Sequence, residues 1–209
     1  MNPYLLYLVT DDKQNIAMLK HVMKEAVAGG VTMVQLREKG SDVRDFIERA
    51  LAVKTILKGT GVPLIINDRV DVALAIDADG VHLGQSDMDA KTARRLIGNE
   101  KTLGLSIENE QQLHDAELLP IDYIGLSAIF STPTKINIKK EWGLEGLRKA
   151  VMQSTFPIVA IGGINTKNIS QVIATGVDGI ALVSAICHAE SPQQAARDLI
   201  TLIGKNKCK

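Results

Sequence analysis

Flat side chains are scarce in this sequence: phenylalanine, tyrosine and tryptophan together make up 3% of its 209 residues. A chain so poor in rings offers no stacking platform for single-stranded nucleic acid. Cysteine is nearly absent too. Cys187 and Cys208 build no disulfide framework, so a reducing, cytoplasmic setting is expected. Neither sign of charge is in excess, with 24 basic and 24 acidic residues. That balance argues against a nucleic-acid or membrane-surface partner. No apolar run approaches the ~18–20 residues of a membrane span, and Met1–Tyr4 carries no basic stretch of the secretory kind. His21, His82, His114 and His188 follow no zinc-ligand spacing. What is present is a 45% apolar chain, long enough to bury a real core, with no linker or low-complexity segment. One domain over residues 1–209 is expected.

One pattern occurs four times: Val31-Thr-Met-Val-Gln-Leu36, Ala78-Asp-Gly-Val-His-Leu83, Ile121-Asp-Tyr-Ile-Gly-Leu126 and Val177-Asp-Gly-Ile-Ala-Leu182. Four other apolar runs alternate with it: Leu5–Val9, Pro63–Ile66, Thr102–Leu105 and Pro157–Ile161. All eight are apolar at nearly every residue, which marks parallel strands buried on both faces. The gaps carry helical patterns at Ala17–Ala28, Val43–Lys58, Asp71–Ile76, Ala90–Ile97, Glu108–Leu118, Leu144–Gln153, Thr166–Thr175 and Pro192–Leu202. Ser41-Asp42 should cap the second of these, and Gly29-Gly30 should end the first. Strand and helix therefore alternate in four βαβα units. An open, doubly wound sheet is the competing arrangement; the repeat favours an α/β fold closed into a (β/α)₈ TIM barrel.

In such a barrel, ligand chemistry belongs at the C-terminal ends of the strands. The unusual polar residues fall there. After strand two, period-two geometry sets Gln35, Arg37 and Lys39 on one face. Asn67-Asp68 follows strand three, Gly84-Gln85-Ser86-Asp87 strand four, and Ser106 ends strand five. Thr132-Pro133-Thr134-Lys135 follows strand six, Gly162-Gly163 strand seven, and Val183-Ser184 ends strand eight. Taken singly, each has a plain alternative. Arg37, Lys39 and Lys135 read equally as solvated charges. Asp68 and Asp87 read more readily as helix N-caps, and Gly162-Gly163 as a turn. His82 shares its register with Gln35, Gly125 and Ala181, so a packed, hydrogen-bonded interior histidine is expected rather than a catalytic one. Together the set describes two carboxylates beside three cations, with a separate glycine anion pocket. That is the composition of a Mg²⁺–pyrophosphate site next to a second phosphate site. The residues alone lead as far as a transfer or isomerisation on phosphorylated small molecules.

The ordered motifs resemble the thiamine-phosphate synthase family from end to end. The matching pieces are Tyr7-Leu-Val-Thr10, Gln35-x-Arg-x-Lys39, Asn67-Asp68, Gly80-Val-His-Leu-Gly-Gln85-x-Asp87, Gly104-x-Ser106, Thr132-x-Thr-Lys135, Gly162-Gly-Ile164 and Val183-Ser-Ala-Ile186. The resemblance implies that Gln35, Leu36, Arg37, Glu38, Lys39, Asn67, Ser106 and Lys135 hold an aminopyrimidine pyrophosphate. It implies Mg²⁺ on Asp68 and Asp87. It gives the thiazole phosphate to Thr132, Pro133, Thr134, Gly163, Val183 and Ser184. Arg37, Lys39, Ser106 and Lys135 would then be the catalytic set, and the implied reaction displaces pyrophosphate by the thiazole nitrogen to give thiamine phosphate. That nitrogen has no proton to lose, so no general base is required. A dissociative, carbocation-like path is expected, with the cations stabilising the leaving charge.

The chain departs from the family at Ser127-Ala128, where Gly-Pro or Gly-His is usual. Related thiazole tautomerases use a histidine in that segment, and Ala128 cannot transfer a proton. A tautomerase, a catalytically silent regulator on the same barrel and another phosphate-binding barrel built on acid–base pairs are the competing functions. A silent regulator is expected to lack a metal aspartate or a pyrophosphate cation, and here none is missing. Phe130–Trp142, the longest stretch without helical or strand pattern, is expected to act as a lid over bound phosphates.

Overall fold

The repeated strand pattern folds as four equivalent corners of one closed barrel. The computed structural model describes residues 2–40, 42–132 and 141–207. Strands β1 (Leu6–Val9), β2 (Met33–Leu36), β3 (Leu64–Asn67), β4 (Gly80–Leu83), β5 (Thr102–Ile107), β6 (Tyr123–Ser127), β7 (Ile158–Ile161) and β8 (Gly179–Leu182) pair in parallel in chain order. β8 closes onto β1. The second residue of each repeat pins the strands together in pairs. Leu6, Leu64, Leu103 and Ile158 each donate their backbone N–H to the side chain of Thr32, Asp79, Asp122 and Asp178 respectively, at 2.7–2.9 Å. The same four repeat residues return a backbone N–H to the same four carbonyls. An odd strand and the even strand after it are thus clamped at their N-terminal ends. Each otherwise orphaned N–H gains an acceptor.

Between the strands lie α1 (Ile16–Ala28), α2 (Val43–Leu57), α3 (Val70–Ala75), α4 (Ala90–Ile97), α5 (Glu110–Ala116), α6 (Gly143–Gln153) and α7 (Ile169–Ile173). A four-residue helix α8 (Ser184–Cys187) precedes the terminal α9 (Pro192–Lys207). Several starts are set by side chains that take a free N–H: Asn15 accepts from Met18, Asp42 from Arg44 and Asp45, Asp89 from Thr92, and Asn109 from Gln112. The cap at Asn109 starts α5 two residues later than the apolar pattern indicates. α7 is likewise shorter than its expected span at both ends, and α8 is too short to show any period. Gly29 ends α1 in right-handed geometry, and Gly30 supplies the positive φ of 105°.

Alternation along the strands divides the core in two. Leu6, Leu8, Val34, Leu36, Leu64, Ile66, Val81 and Leu83 pack outward against the helices. At ~1.5–3 kcal/mol per buried aliphatic side chain, that layer supplies most of the driving force. Tyr7, Val9, Met33, Ile65, Tyr123, Val159 and Ala181 fill the interior. Glycine makes room where the interior is crowded. A Cβ on Gly104 would lie 2.2 Å from the Tyr123 ring, and one on Gly125 would lie 2.9 Å from the His82 ring.

Candidate active site

The C-terminal end of β2 places its motif residues on two faces. Gln35 is buried in the interior and donates its Nε2–H to the Tyr7 hydroxyl at 2.9 Å. Leu36 belongs to the outer core and is fully buried. Arg37 is held from both sides. Its backbone N–H donates to Thr10 Oγ1 at 2.9 Å, and its guanidinium pairs with Asp12 at 3.3 Å. The Glu38 side chain is 1% exposed and accepts from Arg49 Nε at 2.8 Å. Arg49 also donates to the carbonyl of Gln14, so this pair braces the β1 and β2 loops against α2. Lys39, half exposed, reaches across to Asp68. The sequence pattern did not single out Thr10, Asp12 or Arg49 as supports for this motif.

Two carboxylates meet at the ends of β3 and β4. Asn67 is buried as the last residue of β3, in register with His82. Asp68 follows with φ of 62°, a left-handed conformation fixed by its N–H donating to the His82 carbonyl at 2.8 Å. Asp87 accepts the Gly84 N–H at 2.7 Å. Its carboxyl is pushed above the ordinary carboxylate range by burial, and further by a hydrogen bond to and the charge of Asp68. The Gly84 N–H and Lys39 pull the other way. Neither acid caps a helix. The N-cap of α3 is Arg69, without a side-chain bond, and that of α4 is Asp89. The helix-cap alternative is therefore wrong for both: Asp89 caps α4 in place of Asp87, and α3 starts at Arg69 with no side-chain cap at all. Asp68 and Asp87 thus bring two hard oxygen donors together beside Lys39, a donor set of the kind that could hold a divalent cation.

Below this rim a hydrogen-bonded chain crosses the barrel interior. Ser106 Oγ lies 2.9 Å from His82 Nε2, and His82 Nδ1 lies 2.8 Å from the Tyr123 hydroxyl. Tyr123 meets Tyr7 at 2.9 Å, and Tyr7 accepts from Gln35. His82 is thus the packed interior residue its register predicts. Burial drives both phenols well above their ordinary pKa, so each keeps its proton. Gln85 Nε2 donates to the Ser106 carbonyl at 2.7 Å and so ties β5 to the carboxylate loop. Tyr7 and Tyr123 carried a legible signal, since period two puts both on the inward face with His82.

The glycine-rich side lies opposite. Gly162 and Gly163 take φ of 104° and 66°, and each has a neighbour that a side chain would strike. A Cβ on Gly162 would be 2.7 Å from Ala128 Cβ, and one on Gly163 would be 2.6 Å from the Ser131 carbonyl oxygen. Glycine is needed there on both counts. The Phe130 N–H donates to the Gly162 carbonyl, while Trp142 and Gly143 donate to Ala128 and Ile129. The segment leading into Thr132 is therefore laced to the end of β7. Val183 sits just before α8, and Ser184 opens that helix rather than ending a strand. A short extra helix after strand eight is the usual partner of a barrel phosphate loop. Pro133, Thr134 and Lys135, and with them the body of the expected Phe130–Trp142 lid, lie outside the described residues.

Two other features take no part in the rim. An open cleft of about 520 Å³ between the N-terminal ends of α5 and α6 is lined by Glu108, Glu110, Glu141 and Glu145, and by no expected site residue. Cys187 is buried against the Val9 carbonyl, and burial pushes its thiol up to about 12. It is no nucleophile. Among the described residues no three His, Cys, Asp or Glu side chains gather as a metal cluster, and no helix is long and apolar enough to cross a membrane.

The chain is similar to known proteins along most of its length. The family profile described as thiamine monophosphate synthase matches residues 6–186. A thiamine-phosphate synthase of Vibrio parahaemolyticus is 70% identical over 203 residues, covering 97% of this chain and 100% of the relative. One from Albidiferax ferrireducens is 51% identical over 199 residues, covering 95% and 91%. Among solved structures, a thiamine phosphate pyrophosphorylase from Pyrococcus furiosus superposes with a TM-score of 0.88 at 36% identity, covering 98% of each chain. A 3-hexulose-6-phosphate synthase reaches a TM-score of 0.72 at 18% identity, with 94% and 99% covered. At that distance the likeness is of fold alone.

Proposed function

The chain belongs to the thiamine monophosphate synthase family, with the activity of a thiamine-phosphate synthase, a transferase of thiamine biosynthesis, and from that premise we propose how its barrel mouth divides the work. The substrates are an aminopyrimidine pyrophosphate and a thiazole phosphate, plain or carboxylated, met in the cytoplasm. The observation that carries this reading is the Asp68–Asp87 pair, spared from helix capping and set beside Lys39.

Asp68 and Asp87 would hold Mg²⁺, for which hard oxygen donors of this kind are suited. When bound, Mg²⁺ supplies positive charge to the pyrophosphate oxygens. Arg37 and Lys39 add to it at the end of β2. Lys135, assigned by motif alone, completes the set. Each cation gains contact as charge grows on the departing pyrophosphate, so its effect falls on the chemical step, at ~2–4 kcal/mol per lost donor. Leu36 and Glu38, whose side chains are engaged elsewhere, can offer only backbone to that substrate. Asn67 and Ser106 line the pyrimidine side. The glycine turn at Gly163, with Thr132, Pro133, Thr134, Val183 and Ser184, fixes the thiazole phosphate.

The bond from the pyrimidine methylene carbon to oxygen breaks, and a bond to the thiazole nitrogen forms; where the thiazole carries a carboxylate, that group leaves as CO₂ and the ring carbon takes a proton from solvent. No proton is removed. An electron-rich aminopyrimidine shares positive charge on its methylene, which favours a dissociative path. The two anion pockets hold the rings in line. Ala128, packed against Gly162, offers no acid or base for a tautomerase. The test is to incubate the purified protein with both substrates and Mg²⁺. Thiamine phosphate and pyrophosphate in equal amounts are expected; thiazole isomerisation without coupling would overturn the reading.

A further inference from the structure

The interior chain from Gln35 to Ser106 has a direction, and the direction follows from counting protons. Tyr7 is 1% exposed, and its hydroxyl meets the Gln35 carboxamide and the Tyr123 hydroxyl. Gln35 Nε2 already donates to it. A buried phenol with one proton must then spend that proton on its other partner. Tyr7 therefore donates to Tyr123. By the same count Tyr123, fully buried, donates to His82 Nδ1. Burial holds both phenols in the protonated form that this count requires. His82 Nδ1 is thereby an acceptor, so the neutral imidazole carries its proton on Nε2 and donates it to Ser106 Oγ. The ends of the chain are left with opposite characters. Gln35 keeps Oε1, an acceptor that its bond to Tyr7 leaves unused. Ser106 keeps its hydroxyl proton, a donor.

We propose that Tyr7, Tyr123 and His82 are positioning residues that set the hydrogen-bond polarity of the pyrimidine pocket, an acceptor at Gln35 and a donor at Ser106. The proposal rests on the assignment of those two residues to the aminopyrimidine side. Its consequence is specificity. A 4-aminopyrimidine offers an N–H donor beside an unprotonated ring nitrogen. The corresponding 4-oxo compound offers a carbonyl beside a ring N–H, the reverse pattern. A carboxamide free to turn could serve either one, and anchoring its nitrogen on Tyr7 removes that freedom. The packing agrees with a dedicated device. Gly104 and Gly125 lack the side chains that would displace the Tyr123 and His82 rings.

Two measurements decide it. In ¹⁵N-histidine-labelled protein without substrate, with the His82 signals assigned by their loss in His82→Asn, the ring is expected with Nε2 protonated and Nδ1 bare. The opposite tautomer would overturn the proposal. The ratio of kcat/KM for the amino over the oxo pyrimidine pyrophosphate is then compared in wild type, Tyr7→Phe and Tyr123→Phe. Phenylalanine keeps the ring and removes only the link, so a fall of about tenfold or more is expected in each, a part of the ~10⁴–10⁵ by which hydrogen-bonding pockets discriminate. Affinity for inorganic pyrophosphate should hold. An unchanged ratio, even with a lowered melting temperature, reduces the chain to a structural role and overturns the proposal. A wild-type protein that shows the Nε2 tautomer but never turns over the aminopyrimidine would leave the relay standing and sink the substrate assignment instead.

Discussion

Replacing Asp87 with asparagine separates a metal ligand from a structural carboxylate. Asparagine is nearly isosteric and keeps an oxygen for the Gly84 N–H, whose bond to Asp87 is 2.7 Å long. That bond, worth ~1 kcal/mol, is retained in the variant. α4 keeps its cap because Asp89, not Asp87, accepts from Thr92. The substitution also removes one of two carboxylates that repel each other, the cause of the raised Asp87 pKa after burial. Metal-free Asp87→Asn should therefore melt within ~2–4 °C of wild type, the shift that ~1 kcal/mol produces in a domain of this size, with any displacement upward. Single-turnover formation of thiamine phosphate at saturating Mg²⁺ should meanwhile fall by ~10²-fold or more, as for the loss of one strong electrostatic contact. Asp89→Ala is the converse. It should lose ~1 kcal/mol of stability and none of the single-turnover rate. Calorimetry and rapid-quench kinetics on the two variants read both quantities. If Asp87→Asn melts ~8 °C lower while its folded fraction reacts at the wild-type rate, the carboxylate is structural and the reasoning is refuted.

Asp178→Ala removes the acceptor for the Ile158 N–H at the far end of the barrel. It should cost ~1–3 kcal/mol and leave kcat and KM untouched, as denaturant unfolding and steady-state assays would show. Arg37→Ala and Lys39→Ala should slow single-turnover chemistry by ~2–4 kcal/mol each. Weaker substrate binding with unchanged chemistry would remove that residue from the catalytic set. As a Mg²⁺ ligand, Asp87 would have to be ionised, and its pKa is raised. Affinity for the metal should therefore be full above that pKa and decline as pH falls through it, at higher pH than an isolated aspartate would give. Calorimetric titration across pH should show the decline in wild type and a flatter profile in Asp87→Asn.

The eight strands were legible because strands covered on both faces are apolar at almost every position, a signal that hardly depends on neighbours. The four repeats announced the barrel's quarter symmetry. Their second residue was visible as Thr32, Asp79, Asp122 and Asp178, yet its task depends on which N–H lies beside it, and only register decides that. The site motifs were legible as polar residues in an apolar frame. Their supports were not. Arg49 lies eleven residues beyond Glu38 on another element, and Thr10 and Asp12 brace Arg37 from β1's loop. Asp68 and Asp87 stood open between metal and cap because a cap is recognised by position, and Asp89 shifts that position by two. The tyrosines of the interior chain share the period of His82. The glycines that admit the Tyr123 and His82 rings come from adjacent strands and depend on the barrel's stagger. α8 spans four residues, too few for any periodicity to mark.

The account stands or falls on whether the paired carboxylates and the β2 cations form one site for a metal-bound pyrophosphate. Titration calorimetry of the wild-type protein with inorganic pyrophosphate, with and without Mg²⁺, measures this directly. Binding is predicted to depend on Mg²⁺ and to be lost in Asp68→Asn while persisting in Asp178→Ala. Equal binding without a divalent cation, or undiminished binding in Asp68→Asn, would contradict it.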